Sequence, residues 1–167
     1  MKDNHEHFQL SQKVVLYDPV VKRFLLLKEI DGMDGSEKYE GPWDLPGGRV
    51  SNDEDPKVSL KRELLEEVGE IDFEIKDVVL VNVMHVRNDM KGLRRCRAYY
   101  LAIYKSGDIQ ISDEHTEFRW ETIENVIKNK EYEPVREAIE KATEFLKRTE
   151  YLNDLKRLQA DFDNYKK

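Results

Sequence analysis

The sequence predicts an α+β or mixed-sheet fold with a helical extension at its C-terminus. Three observations predict it. Strand-like and helix-like runs occur without regular βαβ alternation. A chain of 167 residues suits one domain plus an appendage. One helix, between Asp55 and Gly69, carries both its caps and its apolar spacing in plain view. Residues 1–148 are assigned to the main domain and residues 149–167 to the extension.

In chain order, Val14 to Tyr17 and Phe24 to Leu27 are short apolar runs separated by Asp18-Pro19 and Lys22-Arg23, which reads as an opening β-hairpin. Asp31 to Gly41 is rich in glycine and charge without periodicity and is expected to be a loop. Asp55 is an N-cap, Pro56 takes the first helical position, and Gly69 stops the helix. Val58, Leu65 and Val68 are expected to hold this helix against the sheet, opposite its acidic face. Ile75 to His85 and Arg97 to Tyr104 read as a second antiparallel pair around a basic connection. Phe118 to Trp120 reads as a short strand, and Thr122 to Lys128 and the stretch from Pro134 onward read as helices.

Composition narrows the function classes. Charged residues make up 38% of the chain and the hydrophobic set 39%, as in a water-soluble globular protein. A net charge of -7 argues against general nucleic-acid binding, since a surface that tracks phosphates needs a basic excess. Small anionic ligands bridged by cations are compatible with it. The single cysteine, Cys96, excludes an intramolecular disulfide. No apolar h-region or membrane-length run is visible, so the protein is expected in the cytoplasm, away from membranes.

The chemistry concentrates at Gly48 to Gly69, GRVSNDEDPKVSLKRELLEEVG. Glu63, Glu66 and Glu67 stand at i, i+3 and i+4 and share one side of the helix, where three carboxylates repel one another. A hard divalent cation relieves that repulsion, and oxygen-only donors match magnesium or manganese better than zinc. An isolated acidic triplet would be read as a solvated helix face. Here Gly48, Glu54, Arg62, Glu63, Leu64, Glu66, Glu67 and Gly69 stand together at set spacing, after the lead-in Trp43-Asp44-Leu45-Pro46-Gly47.

That pattern resembles the Nudix box of the Nudix hydrolases, with one departure: Glu70, followed by Ile71, stands where an apolar residue is usual. The resemblance implies a Nudix fold, a mixed β-sheet sandwiched between helices, and a Mg2+-dependent pyrophosphohydrolase, with Mn2+ as a substitute. It implies Glu66 and Glu67 as principal metal ligands and Glu63 as a further ligand or general base. Arg62 would orient a glutamate, Glu54 would support the metal shell, and Gly47 and Gly48 would let the backbone approach the site, Gly48 beside the metal. In relatives a later loop often brings another glutamate to the metals, and Glu114 in Ser112 to Glu117 is the best match, with Asp113 and Glu117 as competitors. The role of general base is divided between Glu63 and Glu114.

Substrate identity rests outside the box. The proline common in ADP-ribose-specific relatives and the tyrosine common in dinucleoside-polyphosphate relatives are both missing from the expected neighbourhood, where Met84, His85, Val86, Arg87 and Asn88 occur. By elimination the chain looks closest to the MutT-like group acting on nucleoside triphosphates. ADP-ribose, ADP-sugars and dinucleoside polyphosphates are the alternative substrates, and a non-catalytic nucleotide-sensing module is the alternative of another class. The basic run Arg87, Lys91, Arg94, Arg95 and Arg97 reads first as a solvated hairpin tip. On a strand, Arg95 and Arg97 would share one face and are the candidates for holding substrate phosphates. Trp43, Tyr39 and Phe8 are candidates for stacking on a base, with core packing the commoner role for such aromatics.

Leu152, Leu155, Leu158, Phe162 and Tyr165 recur at three- and four-residue steps, which is a coiled-coil or docking stripe and a candidate for homodimerisation. The segment Tyr151 to Lys167, YLNDLKRLQADFDNYKK, also resembles the long-helix region of GrpE over about seventeen residues; exchange-factor activity does not follow from it.

Overall fold

The computed structural model describes residues 8–31, 39–85 and 94–165. Arg87, Lys91, Val86 and Asn88, and the side chains of Tyr39 and His85, lie outside the described residues. Six strands, β1 (Phe8–Asp18), β2 (Arg23–Asp31), β3 (Tyr39–Asp44), β4 (Asp72–His85), β5 (Arg94–Ser106) and β6 (His115–Glu121), form one sheet. Three helices accompany them, α1 (Pro56–Val68), α2 (Ile123–Lys128) and α3 (Glu133–Tyr165), with a 3-10 turn at Lys130–Tyr132 before α3. The sheet order is β3-β2-β1-β5-β4, with β6 on β2. The β1–β5 pairing is parallel and the others are antiparallel, so the sheet is mixed.

The opening hairpin forms, but β1 and β2 pair only at Tyr17–Phe24 and Asp18–Arg23. Beyond that point they part, and the segment after β3 fills the gap. Val14 N–H donates to Pro46 O at 2.8 Å, Gln12 N–H to Gly48 O at 2.8 Å, and Val50 N–H to Leu10 O at 3.1 Å. Strand β1 therefore carries β5 on one edge and the glycine turn on the other.

Apolar residues pack on both faces of the sheet. Val15, Leu26, Tyr99 and Leu101 meet Val135, Ala138, Ile139 and Ala142 of α3 on one side. Val14, Leu16, Leu25 and Leu27 meet Leu60, Leu64 and Val68 of α1 on the other. Each fully buried aliphatic side chain contributes about 1.5–3 kcal/mol to the fold.

Two expectations need correction. The helix α1 does begin at its Asp55 cap, which accepts from Lys57 and Val58 N–H, and ends at Gly69. Yet Val58 and Leu65 are 59% and 51% exposed and do not hold it to the sheet. The buried stripe is Leu60, Leu64 and Val68 at i, i+4 and i+8, and the carboxylates of Glu63 and Glu67 stand beside this stripe rather than opposite it. The loop expected up to Gly41 is also too long, because β3 begins at Tyr39. Its glycine and proline read as breakers; Pro42 is tolerated because β3 is a sheet edge.

In α3 the buried residues end at Ala142, and every described residue from Lys147 onward is exposed. The helix continues unbroken through residues 148 and 149. Among the described residues, no helix is long and apolar enough to cross a membrane.

Candidate active site

The tight turn before α1 sets the site. Gly47 has φ +124°, and a Cβ there would lie 2.4 Å from Gln12 O. Only glycine fits that turn without displacing the β1 backbone. Its N–H donates to Glu67 Oε2 at 2.6 Å. Glu67 is 9% exposed, and burial pushes its carboxyl up to about 7 against the pull of Lys13 and the Gly47 N–H. At Gly48 a Cβ would lie 2.2 Å from Glu63 Oε2, so the missing side chain is the space that Glu63 occupies.

Arg62 organises the outer carboxylates. Its guanidinium holds Glu54 through Nε at 2.9 Å and Nη2 at 3.1 Å, Glu63 through Nη2 at 2.8 Å and Glu66 through Nη1 at 2.9 Å. The bonds from Arg62 hold Glu54 down at about 2, far below the usual carboxylate range.

The loop after β5 is stitched to the end of α1 by Gln110 N–H to Val68 O at 2.9 Å and Ser112 N–H to Glu67 O at 3.2 Å. Ile30 N–H to Glu114 O at 3.0 Å ties the same loop to β2. These bonds bring Asp113 and Glu114 to a cavity of about 900 Å³ also lined by Glu63, Glu66, Glu67, Gly47 and Gly48. Glu117 turns elsewhere and pairs with Arg119 at 2.7 Å. Arg95 and Arg97 share one face of β5 and line the cavity.

A buried ion pair completes the floor. Lys13 Nζ lies 2.7 Å from Asp44 and 3.9 Å from Glu29. Burial alone would raise the Asp44 carboxyl, but Lys13, helped by Arg97 and the Leu45 N–H, outweighs it and holds it below its ordinary value. Burial pushes Glu29 up to about 7, and the negative charge of Asp44 adds to the rise.

A glutamate cluster beside the glycine turn and cationic side chains across one cavity can bind a polyanion through cations and arginines together. The model of the NUDIX domain matches residues 7–158. The chain belongs to the NUDIX domain family.

Solved NUDIX structures carry the same fold. The MutT protein from Methanosarcina mazei Go1 superposes with a TM-score of 0.67 at 24% identity, covering 87% of this chain and 99% of the other. The C. elegans Ap4A hydrolase in a binary complex gives 0.63 at 24% identity, covering 83% and 97%. The E. coli dihydroneopterin triphosphate pyrophosphohydrolase gives 0.58 at 18% identity, covering 81% and 96%. No curated protein matches the chain.

Membership of the NUDIX family makes the chain a pyrophosphohydrolase, and the family generally needs a divalent metal. The residues fit such an ion chemically, since the donors are carboxylates and the absent Cβ of Gly48 lets the Glu63 carboxylate sit against the turn at the cavity. Among the described residues no three acidic, histidine or cysteine groups already converge on one point. Arg62 holds Glu63 and Glu66, and the Gly47 N–H holds Glu67.

Three candidates for base stacking fare differently. Trp43 is 1% exposed, stacks edge-on against Tyr132 and belongs to the core of this NUDIX domain. Phe8 lies under the Arg94 guanidinium at 5.2 Å. Tyr39 is outside the described side chains. Sequence reasoning missed Ser11, Lys13, Glu29 and Arg49 as cavity residues and used Asp44 only as part of the lead-in. The available signal was that Gln9, Ser11 and Lys13, two residues apart, fall on one face of a strand that runs into the apolar Val14 to Tyr17, although the polar Gln12 interrupts the alternation.

Proposed function

We propose that this NUDIX domain hydrolyses a pyrophosphate bond in a nucleoside-diphosphate-linked substrate, a nucleoside triphosphate above all, with magnesium as its metal and manganese as a substitute. The supporting observation is one cavity that holds Glu63, Glu66, Glu67 and Glu114 together with Arg95 and Arg97. Glu63, Glu66 and Glu67, with Glu114 and the Gly48 carbonyl, are the donors that would hold the metal. Once bound, it supplies charge neutralisation at the pyrophosphate and an acidified water.

The chain's own groups do the rest. Arg62 restrains Glu54, Glu63 and Glu66 in one bundle, from which a bound metal would draw the oxygens of Glu63 and Glu66. The Gly47 N–H fixes one oxygen of Glu67 and leaves the other free. Glu63 or Glu114 takes the proton from the attacking water, and Arg95 and Arg97 orient the phosphates.

The test is a magnesium-dependent hydrolysis screen over nucleoside triphosphates, ADP-ribose, ADP-sugars and dinucleoside polyphosphates, run beside Glu67→Gln. Selective turnover of triphosphates, reduced about 100-fold or more in the variant, is the expected result. Turnover confined to ADP-ribose or dinucleoside polyphosphates would replace the substrate. Folded protein without turnover of any of them would leave a nucleotide-sensing module.

A further inference from the structure

The cationic side chains of the cavity fall into two groups. Lys13 is matched by Asp44, and Arg62 by Glu54, Glu63 and Glu66. Arg49, Arg95 and Arg97 line the same cavity, yet among the described residues none of the three has a carboxylate within ion-pair distance. Arg95 is held in place by donating through Nε to Gln9 Oε1 at 2.9 Å, and it feels the like charges of Arg97 and Arg49. The backbone register explains this crowding. Ser11 on β1 pairs with Arg97 on β5 on one side and bridges to Arg49, in the segment after β3, on the other, so the three residues form one row. The two arginines flank a small residue over two strand spacings, about 9.6 Å.

The middle of that row is unsatisfied. Ser11 is 3% exposed and lines the cavity, and its Oγ has no hydrogen-bond partner; the Arg97 Nε is buried and likewise unpartnered. Unmatched buried polar groups are uncommon in folded proteins. An anion resting between the arginines would meet both donors and relieve the repulsion among the guanidiniums. Arg49 directly follows Gly48, which abuts Glu63, so this row lies beside the carboxylates.

We infer that Ser11, Arg49, Arg95 and Arg97 form a subsite for a phosphate additional to the diphosphate at the carboxylates, so that the enzyme selects nucleotides with three or more phosphates over diphosphates linked to a neutral sugar. The inference rests on the reading of Glu63, Glu66 and Glu67 as the cleavage side. A neutral sugar in the subsite would bring no charge to Arg49, Arg95 and Arg97, of which only Arg97 feels carboxylates, Asp44 and Glu29, at longer range, and that penalty is the basis of selection.

Inorganic tripolyphosphate, titrated calorimetrically into the full chain without divalent metal, tests the subsite apart from catalysis. Binding should weaken about tenfold or more in Arg95→Gln/Arg97→Gln, recover in part in Arg97→Lys, and fall by a smaller factor in Ser11→Ala. Unchanged binding in a folded double variant overturns the inference. In turnover, the double variant should lower kcat/KM for a nucleoside triphosphate about tenfold relative to that for ADP-ribose, through KM. Equal losses on the two substrates overturn the inference as well. If the hydrolysis screen finds no turnover while tripolyphosphate binding still depends on Arg95 and Arg97, the catalytic reading fails and the subsite stands.

Discussion

The backbone N–H of Gly47 donates to Oε2 of Glu67 across 2.6 Å, tying the turn before α1 to a glutamate one helical face away from solvent. Gly47 and Gly48 are neighbours, yet a methyl group at each would meet a different kind of obstacle, and the two substitutions separate stability from activity.

At Gly47 the obstacle is the backbone of β1, and φ is +124°. Gly47→Ala is expected to destabilise the fold by about 3 kcal/mol, measured by urea denaturation. At Gly48 the obstacle is the far end of the Glu63 side chain. Gly48→Ala should keep stability within about 1 kcal/mol while kcat/KM drops about tenfold or more, because Glu63 is displaced. A folded, fully active Gly48→Ala would show that Glu63 has no role at the site.

Arg62 is the common partner of Glu54, Glu63 and Glu66. Arg62→Ala, and separately Glu54→Gln, should each lower activity about 10- to 100-fold and weaken the dependence on magnesium concentration by a similar factor. Lysine is expected to rescue Arg62→Ala poorly, since it lacks the planar fork that serves three carboxylates at once. Activity and magnesium titrations of the three variants check this; a fully active Arg62→Lys would mean that only its charge matters.

Glu29 gives the fold a pH dependence. Its folded value, about 7, lies above the ordinary 4.5, so between these values the folded state binds the extra proton. Stability contributed by Glu29 is therefore present at low pH and falls as pH rises through that window. The side chain is 38% exposed, and solvent screening reduces the effect to about 1 kcal/mol. Glu29→Gln should gain stability relative to the parent protein at pH 8 compared with pH 5. Denaturation at both values reads the difference, and parallel curves would remove Glu29 as the cause.

The distal half of α3 makes little contact with the domain. Tyr151, Leu152, Leu155, Leu158 and Phe162 are between 44% and 64% exposed. Truncation before Glu150 should change the unfolding free energy by less than about 0.5 kcal/mol and leave turnover intact. Ile139→Ala, in the buried half, should cost about 2–5 kcal/mol. Sedimentation of the full and truncated chains then reads whether the apolar seam holds two copies together.

Local chemistry made much of this protein readable in one dimension. Asp55, Pro56 and Gly69 specify α1 through capping and backbone preference, and Glu63, Glu66 and Glu67 declare a shared side through helical periodicity alone. The antiparallel pairing of β4 with β5 and the mixed sheet followed from strand-forming runs and the lack of βαβ alternation.

What only the tertiary structure decided was which residues meet across long separations. Lys13 finds Asp44, Arg97 finds Ser11 and Arg49, and the loop at Glu114 finds α1, all through sheet register and backbone bonds between distant segments. Periodicity assigns a residue to a face but does not say what that face will meet. For that reason Val58 and Leu65 were misplaced on the buried side, while the polar alternation of β1 concealed a strand that floors the cavity.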